Sequence, residues 1–176
     1  MRFFGTAMSQ IVQDHHASSP ARLRCAVLTI SDTRTIENDT GGRTVVDLLV
    51  TAGHTIVQRH IVPDDPERIG AILSELRNQA DLDAIMMTGG TGISSRDQTF
   101  ETVGSLLTKP LPGYGELFRS LSFQEIGPAA MLSRAVGGLL GRIVVLTMPG
   151  SPAAVRLAMT RLILPELGHL VREARR

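Results

Sequence analysis

Short apolar runs that alternate with helically spaced segments restrict this chain more than any other feature. Cys25–Ile30 reads Cys-Ala-Val-Leu-Thr-Ile, without the polar alternation of a half-solvated strand, as a strand buried on both faces would. Thr44–Ala52 then places Val45, Val46, Leu48, Leu49 and Ala52 at helical spacing, and Gly53 stands where such a helix ends. Thr55–Val62 predicts a second strand, broken by Pro63-Asp64-Asp65-Pro66. Glu67–Ala80 predicts a helix with Ile69, Ile72, Leu73 and Leu76 on one face. Asp83–Thr88 predicts a third strand. Strands separated by helices of this length are βαβ units, so the expected fold is α/β with a mostly parallel sheet.

The second half departs from that rhythm. Gln98–Leu107 and Tyr114–Ile126 have helical patterns, while Met131–Val136 and Arg142–Thr147 read as strands joined by Gly137–Gly141. A parallel crossover needs about a dozen residues, so these two should pair antiparallel if they are neighbours. Ala153–Val171 predicts a last helix that Pro165 kinks or divides. At 176 residues the chain fits a single domain, here 21–176, and residues 1–20 lack periodicity and read as a flexible N-terminal arm. His15-His16 in that arm reads as a solvated pair.

Composition removes several function classes. A net charge of +1, 3% aromatic residues and no Trp argue against nucleic acid as a partner. No run approaches the ~18 apolar residues of a membrane span. Cys25 is the single cysteine, so neither an intrachain disulfide nor a cysteine-rich zinc site is available. The opening MRFFGTAMSQ lacks the apolar stretch of a secretory signal, and the expected location is the cytoplasm.

Ligands of an open parallel sheet bind beyond the carboxyl ends of the strands, which here means loops Ser31–Gly42, Pro63–Pro66, Thr88–Asp97 and Met148–Pro152. Thr88-Gly89-Gly90-Thr91-Gly92 follows a strand directly, and its glycines let backbone N–H groups approach an anion. The plain alternative is a tight turn. Neither a Gly-Lys-Ser/Thr phosphate loop nor a G-x-G-x-x-G dinucleotide loop is present. Arg96 can hold phosphate oxygens bidentately. Asp97 beside an anion loop either caps the helix that starts near Gln98 or faces a cation that offsets its charge. Asp64-Asp65 poses the same choice: Asp65 suits a cap before Pro66, which leaves Asp64 at the strand end. Two carboxylates with substrate phosphates are enough for Mg2+. In Gly150-Ser151-Pro152, Ser151 is by default a helix cap, and no nucleophile elbow surrounds it. Ser133-Arg134 reads as core-edge polar residues or as a second anion contact.

These loops in order resemble the MoaB/MogA family of molybdenum-cofactor biosynthesis proteins. The residues are Thr88-Gly-Gly-Thr-Gly92, Arg96-Asp97-x-Thr99-x-Glu101, Leu111-Pro-Gly-Tyr-Gly-Glu116, Met131-Leu-Ser-Arg134 and Met148-Pro-Gly-Ser-Pro152. Ser31-Asp32-Thr-Arg-Thr35, Ala52-Gly-His54 and Ile61-Val-Pro-Asp-Asp65 are similar to the MoaB branch in particular, as is Leu117–Gly127. Met87 and Phe100 stand where the family often has Thr and Pro. The resemblance implies a three-layer α/β/α molybdopterin-binding fold with one antiparallel strand, assembled as a trimeric or hexameric homo-oligomer. It implies adenylylation of molybdopterin by Mg2+ and ATP, with release of pyrophosphate, before a molybdate-inserting enzyme acts. By position, Asp64 and Asp97 match the family's two catalytic aspartates, and they are the expected Mg2+ ligands. Thr88, Gly89, Gly90, Thr91, Gly92, Arg96, Ser133, Gly150 and Ser151 are the expected phosphate and substrate contacts. The alternative is a molybdopterin- or nucleotide-binding protein of the same fold without turnover.

Overall fold

The structure, a computed structural model, describes residues 19–176. The expected arm therefore lies outside the described residues, His15 and His16 included, apart from Ser19 and Pro20, which lie against Gly168. Strands β1 (Arg24–Ile30), β2 (Thr55–Val62), β3 (Ala84–Thr88), β4 (Lys109–Pro110), β5 (Gly137–Leu140) and β6 (Ile143–Met148) form one sheet, ordered β2-β1-β3-β6-β5-β4. The helices are α1 (Thr40–Thr51), α2 (Pro66–Arg77), α3 (Thr99–Leu106), α4 (Pro112–Ile126), α5 (Pro152–Ala158) and α6 (Leu164–Ala174). β2, β1, β3 and β6 pair in parallel, and β5 is antiparallel to both of its neighbours. It is the one strand that opposes the rest, as expected.

The apolar runs are buried on both faces. Along β1, Cys25 and Val27 enter one core while Ala26, Leu28 and Ile30 enter the other. β3 and β6 divide the same way, with Ala84, Met86, Val144 and Leu146 on the first side and Ile85, Met87, Ile143 and Val145 on the second. Helices α1, α4, α5 and α6 cover the first face through Val45, Leu49, Phe118, Val155 and Leu167. Helices α2 and α3 cover the second through Ile69, Leu73, Leu76 and Val103. The result is three layers. Burial in the first core pushes the Cys25 thiol up to about 12, which removes it from thiolate chemistry.

Three elements differ from expectation. Met131–Val136 is not a strand: Gly127 ends α4 at positive φ, and a 3-10 turn, Gly127–Leu132, follows with Met131 and Leu132 at the surface. The strand is instead Gly137–Leu140, which the sequence suggested as the connection, and the hairpin closes over Gly141-Arg142 with Leu140 opposite Ile143. Glycine is required there by space, because a Cβ on Gly137 would lie 2.5 Å from Leu146 and 2.9 Å from Tyr114. The short edge strand β4 was not anticipated at all. Helix α1 starts at Thr40, four residues before the apolar pattern, because the Asp39 carboxylate caps it by accepting from the Gly42 N–H at 2.8 Å. Pro165 does divide the last helix, where a π turn (Met159–Ile163) joins α5 to α6.

Gly137→Ala is expected to lower stability by about 2 kcal/mol through overpacking. Gly70→Ala, in α2 with nothing within 4 Å of the new methyl, is expected to raise it by about 0.5–1 kcal/mol. Urea midpoints of both variants test the pair.

Candidate active site

β1 connects through α1 on one face to β2 on its outer side, and β2 connects through α2 on the other face to β3 on its inner side. Chain direction therefore splits between β1 and β3, and a crevice opens beyond their carboxyl ends. A cavity of about 400 Å³ occupies it, lined by Ser31 and Arg34 after β1, Thr40 and Gly41 of α1, Thr88 and Gly89 after β3, and Gly150 and Ser151 after β6. Four of the expected contacts thus meet in one place. Gly89 has φ +98°, and a Cβ there would lie 2.3 Å from the Ile30 carbonyl, so no side chain can stand at this wall. The Thr88 hydroxyl donates to the Pro149 carbonyl at 3.2 Å and ties the β3 loop to the β6 loop. Ser151 is the helix cap expected of it, accepting from the Ala154 N–H at 3.2 Å, so its own hydroxyl proton is available to a ligand.

The amino end of α1 is held from below by a buried charge. Asp39 accepts from the Gly42 N–H, from the Thr29 hydroxyl at 2.7 Å and from Arg59 Nη2 at 2.9 Å. Burial pushes its carboxyl up, but these donors outweigh the penalty and the group settles below the usual carboxylate range. The cap thereby stays ionised and fixes the amino end of α1, with Thr40 and Gly41, at the cavity wall.

A second set of groups lies one residue further along the glycine loop. Gly90, with φ +62°, has no room for a Cβ because the Asp64 carboxylate would be 2.4 Å away and Thr99 Oγ1 2.2 Å away. Asp64 Oδ1 accepts from the Gln98 N–H at 3.1 Å, and the Asp64 N–H donates to Asp32 at 3.1 Å. Asp97 Oδ2 accepts from the Ser94 N–H at 3.0 Å and makes no capping bond to α3; the N–H of Gln98, the residue before that helix, goes to Asp64 instead. Arg96 pairs with Asp32. Burial above all raises the Asp64 carboxyl, and the Asp97 and Asp32 charges add to the rise against relief from the Gln98 N–H and Arg96. Asp97 is lowered, chiefly by its hydrogen bond with Ser94. The charges of Asp32, Asp64 and Asp65 bear on Arg96, while the arginine whose charge reaches Asp97 is Arg134. Among the described residues no three His, Cys, Asp or Glu side chains form a complete metal site.

The expected residues therefore fall into two groups on either side of one loop. Thr88, Gly89, Gly150 and Ser151 face the cavity, while Gly90, Gly92, Arg96, Asp64 and Asp97 surround the acidic cluster. Thr91 is buried between them. Ser133 is buried at the end of the 3-10 turn and joins neither group. Asp32, Arg34, Asp39 and Arg59 escaped sequence reasoning. Asp39, three residues before Gly42 and just ahead of a helix, carried a readable cap signal.

A glycine-walled cavity at the switch point of a parallel sheet, with carboxylates beyond the wall, places the chain among the α/β domains whose ligand crevice lies at the carboxyl edge of the strands. Residues 26–169 match the family described as a probable molybdopterin binding domain. Molybdenum cofactor biosynthesis protein B of Bacillus anthracis is 50% identical over 166 residues, 94% of this chain and 98% of its own. A crystal structure of a molybdenum cofactor biosynthesis protein B superposes with TM-score 0.86 at 51% identity, covering 89% of this chain and 98% of that one. The tungsten cofactor synthesizing protein MoaB from Pyrococcus furiosus superposes with TM-score 0.80 at 34% identity, covering 90% and 100%. The chain belongs to the MoaB/MogA family of molybdenum-cofactor biosynthesis proteins, on its MoaB side.

The two buried aspartates should respond oppositely to loss of charge. Asp39 is depressed, so its stabilisation is present above the unfolded carboxyl value near 3.9 and is lost as pH falls through the lower folded value. Asp39→Asn should cost about 2 kcal/mol at pH 7. Asp64 is raised, so the stability it contributes is full below that unfolded value and is lost as pH rises through the folded one. Ligand-free Asp64→Asn, which keeps an oxygen for Gln98, should therefore melt higher than the parent at pH 7 and converge with it towards about pH 4. Melting curves at both pH values check the signs.

Proposed function

We propose that this protein adenylylates molybdopterin with ATP and Mg2+ in the cytoplasm, releasing pyrophosphate and preparing the pterin for a molybdate-inserting enzyme. One observation carries the reading: Gly89 and Gly90 are a shared wall, with the cavity on one side and the Asp64–Asp97 cluster on the other. A pterin whose phosphate reached this wall from the cavity would meet a nucleotide phosphate held at the cluster.

The chemistry asks little proton transfer of the protein. The terminal phosphate of molybdopterin is already ionised at neutral pH, so attack on the α-phosphorus of ATP needs no general base. Alignment and charge neutralisation are what count. The amino end of α1 at Gly41, Arg34 and the Ser151 hydroxyl can orient the pterin phosphate within the cavity. Arg96 lies beside Asp32 at the cluster rim, where it can exchange that partner for phosphate oxygens. The residues fit Mg2+: Asp64 is starved of positive charge, and two carboxylates completed by substrate phosphate oxygens suit this ion. Asp64 and Asp97 would hold it, and when bound it neutralises phosphate charge.

Assembly belongs to the same reading. Leu117, Phe123, Ile126, Met131 and Leu132 are each more than half exposed along α4 and the turn after it, although Phe118 is fully buried within the chain. This apolar strip is the surface we assign to homo-oligomer contacts, in a trimer or hexamer. Sedimentation at micromolar concentration should give a species larger than the monomer; a monomer would remove the assignment.

Incubation with molybdopterin, ATP and Mg2+ should yield adenylylated pterin and pyrophosphate. Binding of both substrates without product would make the protein a carrier of the same fold. Asp64→Asn and Asp97→Asn should each fold, bind molybdopterin and lose adenylylation by at least ~10²-fold. The double variant should be little worse than either, since both act on one charge-neutralising site. Parental turnover in both single variants would reduce the aspartates to structural roles.

A further inference from the structure

Arg134 leaves the 3-10 turn Gly127–Leu132 and reaches back to the glycine loop. Its Nε donates to the Thr91 carbonyl at 3.0 Å, and its terminal nitrogens donate to the two Glu101 oxygens at 2.5 and 3.1 Å. The guanidinium carbon lies 4.9 Å from the centre of the Phe100 ring. All three nitrogens are thus directed at protein oxygens.

What these partners share is their place in the chain. Thr91 stands just before segment 92–98, and Phe100 and Glu101 stand just after it, at the start of α3. That segment carries Arg96 and Asp97. Its ties to Asp32 and Asp64 run through the acidic cluster itself, where like charges repel. Arg134 is a tie from the distant half of the chain, anchored on the Thr91 carbonyl and Glu101, and its positive charge also favours the ionised Asp97. A planar fork can grip a carbonyl and a carboxylate together, which a lysine ammonium cannot do with the same geometry. Phe100 gives the fork a flat face to lie on.

We propose that Arg134 is a positioning residue, fastening both ends of segment 92–98 so that Asp97 and Arg96 are held in register with Asp64. The inference rests on the reading of that cluster as the working site, but its test does not depend on turnover alone. Hydrogen exchange on the full chain without ligand should show the Ser94 and Gln98 amides, both bonded to carboxylates, exchanging about tenfold faster in Arg134→Lys, with β3 amides unchanged. Glu101→Gln, which keeps the Thr91 tie, should accelerate the same amides to a smaller degree. In the adenylylation assay Arg134→Lys should lower kcat about tenfold and leave KM for the pterin alone, because the cavity is untouched. Parental exchange at Ser94 and Gln98 in both variants would overturn the proposal, and so would acceleration that extends equally to β3. Local acceleration in a chain that shows no turnover at all would support the fastening and sink the adenylylation reading by itself.

Discussion

Burial of β1, β3 and β6 on both faces is the constraint from which the rest follows. A strand with apolar groups on each side needs helices above and below, so successive crossovers must alternate between the two faces of the sheet. That alternation sends β2 to one side of β1 and β3 to the other. The crevice between them follows from how the core is closed. The candidate site occupies a gap that packing had already made.

Electrostatics in that gap works in two opposite ways. Asp39 is a charge made comfortable: three donors surround it, one of them Arg59 from the neighbouring strand, and the amino end of α1 is fixed as a result. Asp64 is a charge left uncomfortable, buried beside two further carboxylates and relieved mainly by a single backbone N–H and Arg96. The first arrangement makes a rigid frame for a ligand. The second raises the free energy of the ionised Asp64 carboxylate, a condition that nearby positive charge would relieve.

Much of the fold was legible because periodicity reports burial. Leu28, Ile85 and Val145 announce their strands, and Ile69, Leu73 and Leu76 their helix, since each pattern repeats over several turns or pleats. Met131–Val136 misled for the opposite reason: Met131 and Leu132 belong to a turn, and their exposure cannot be inferred from composition. The true strand, Gly137–Leu140, is half glycine, and its identity depends on Tyr114 from a distant helix pressing on Gly137. In the site, Thr88–Gly92, Asp64 and Asp97 were legible as strand-end loops. Asp32 and Arg59 were not, because an aspartate after a strand and an arginine within one gain meaning only from partners 64 and 20 residues away.

The wall between cavity and acidic cluster is a single stretch of backbone at Gly89 and Gly90, and neither position can accept even a methyl group. A lineage of such proteins therefore has no means of reshaping one chamber by altering the partition, since any side chain there would intrude on Ile30, Asp64 or Thr99. Drift in ligand preference is confined to the rims, at Arg34 and Ser151 on one side and at Arg96 on the other. On the proposed reading the partition acts as a fixed ruler, setting the separation of the two phosphates, while everything that would tell one substrate from another is free to change around it.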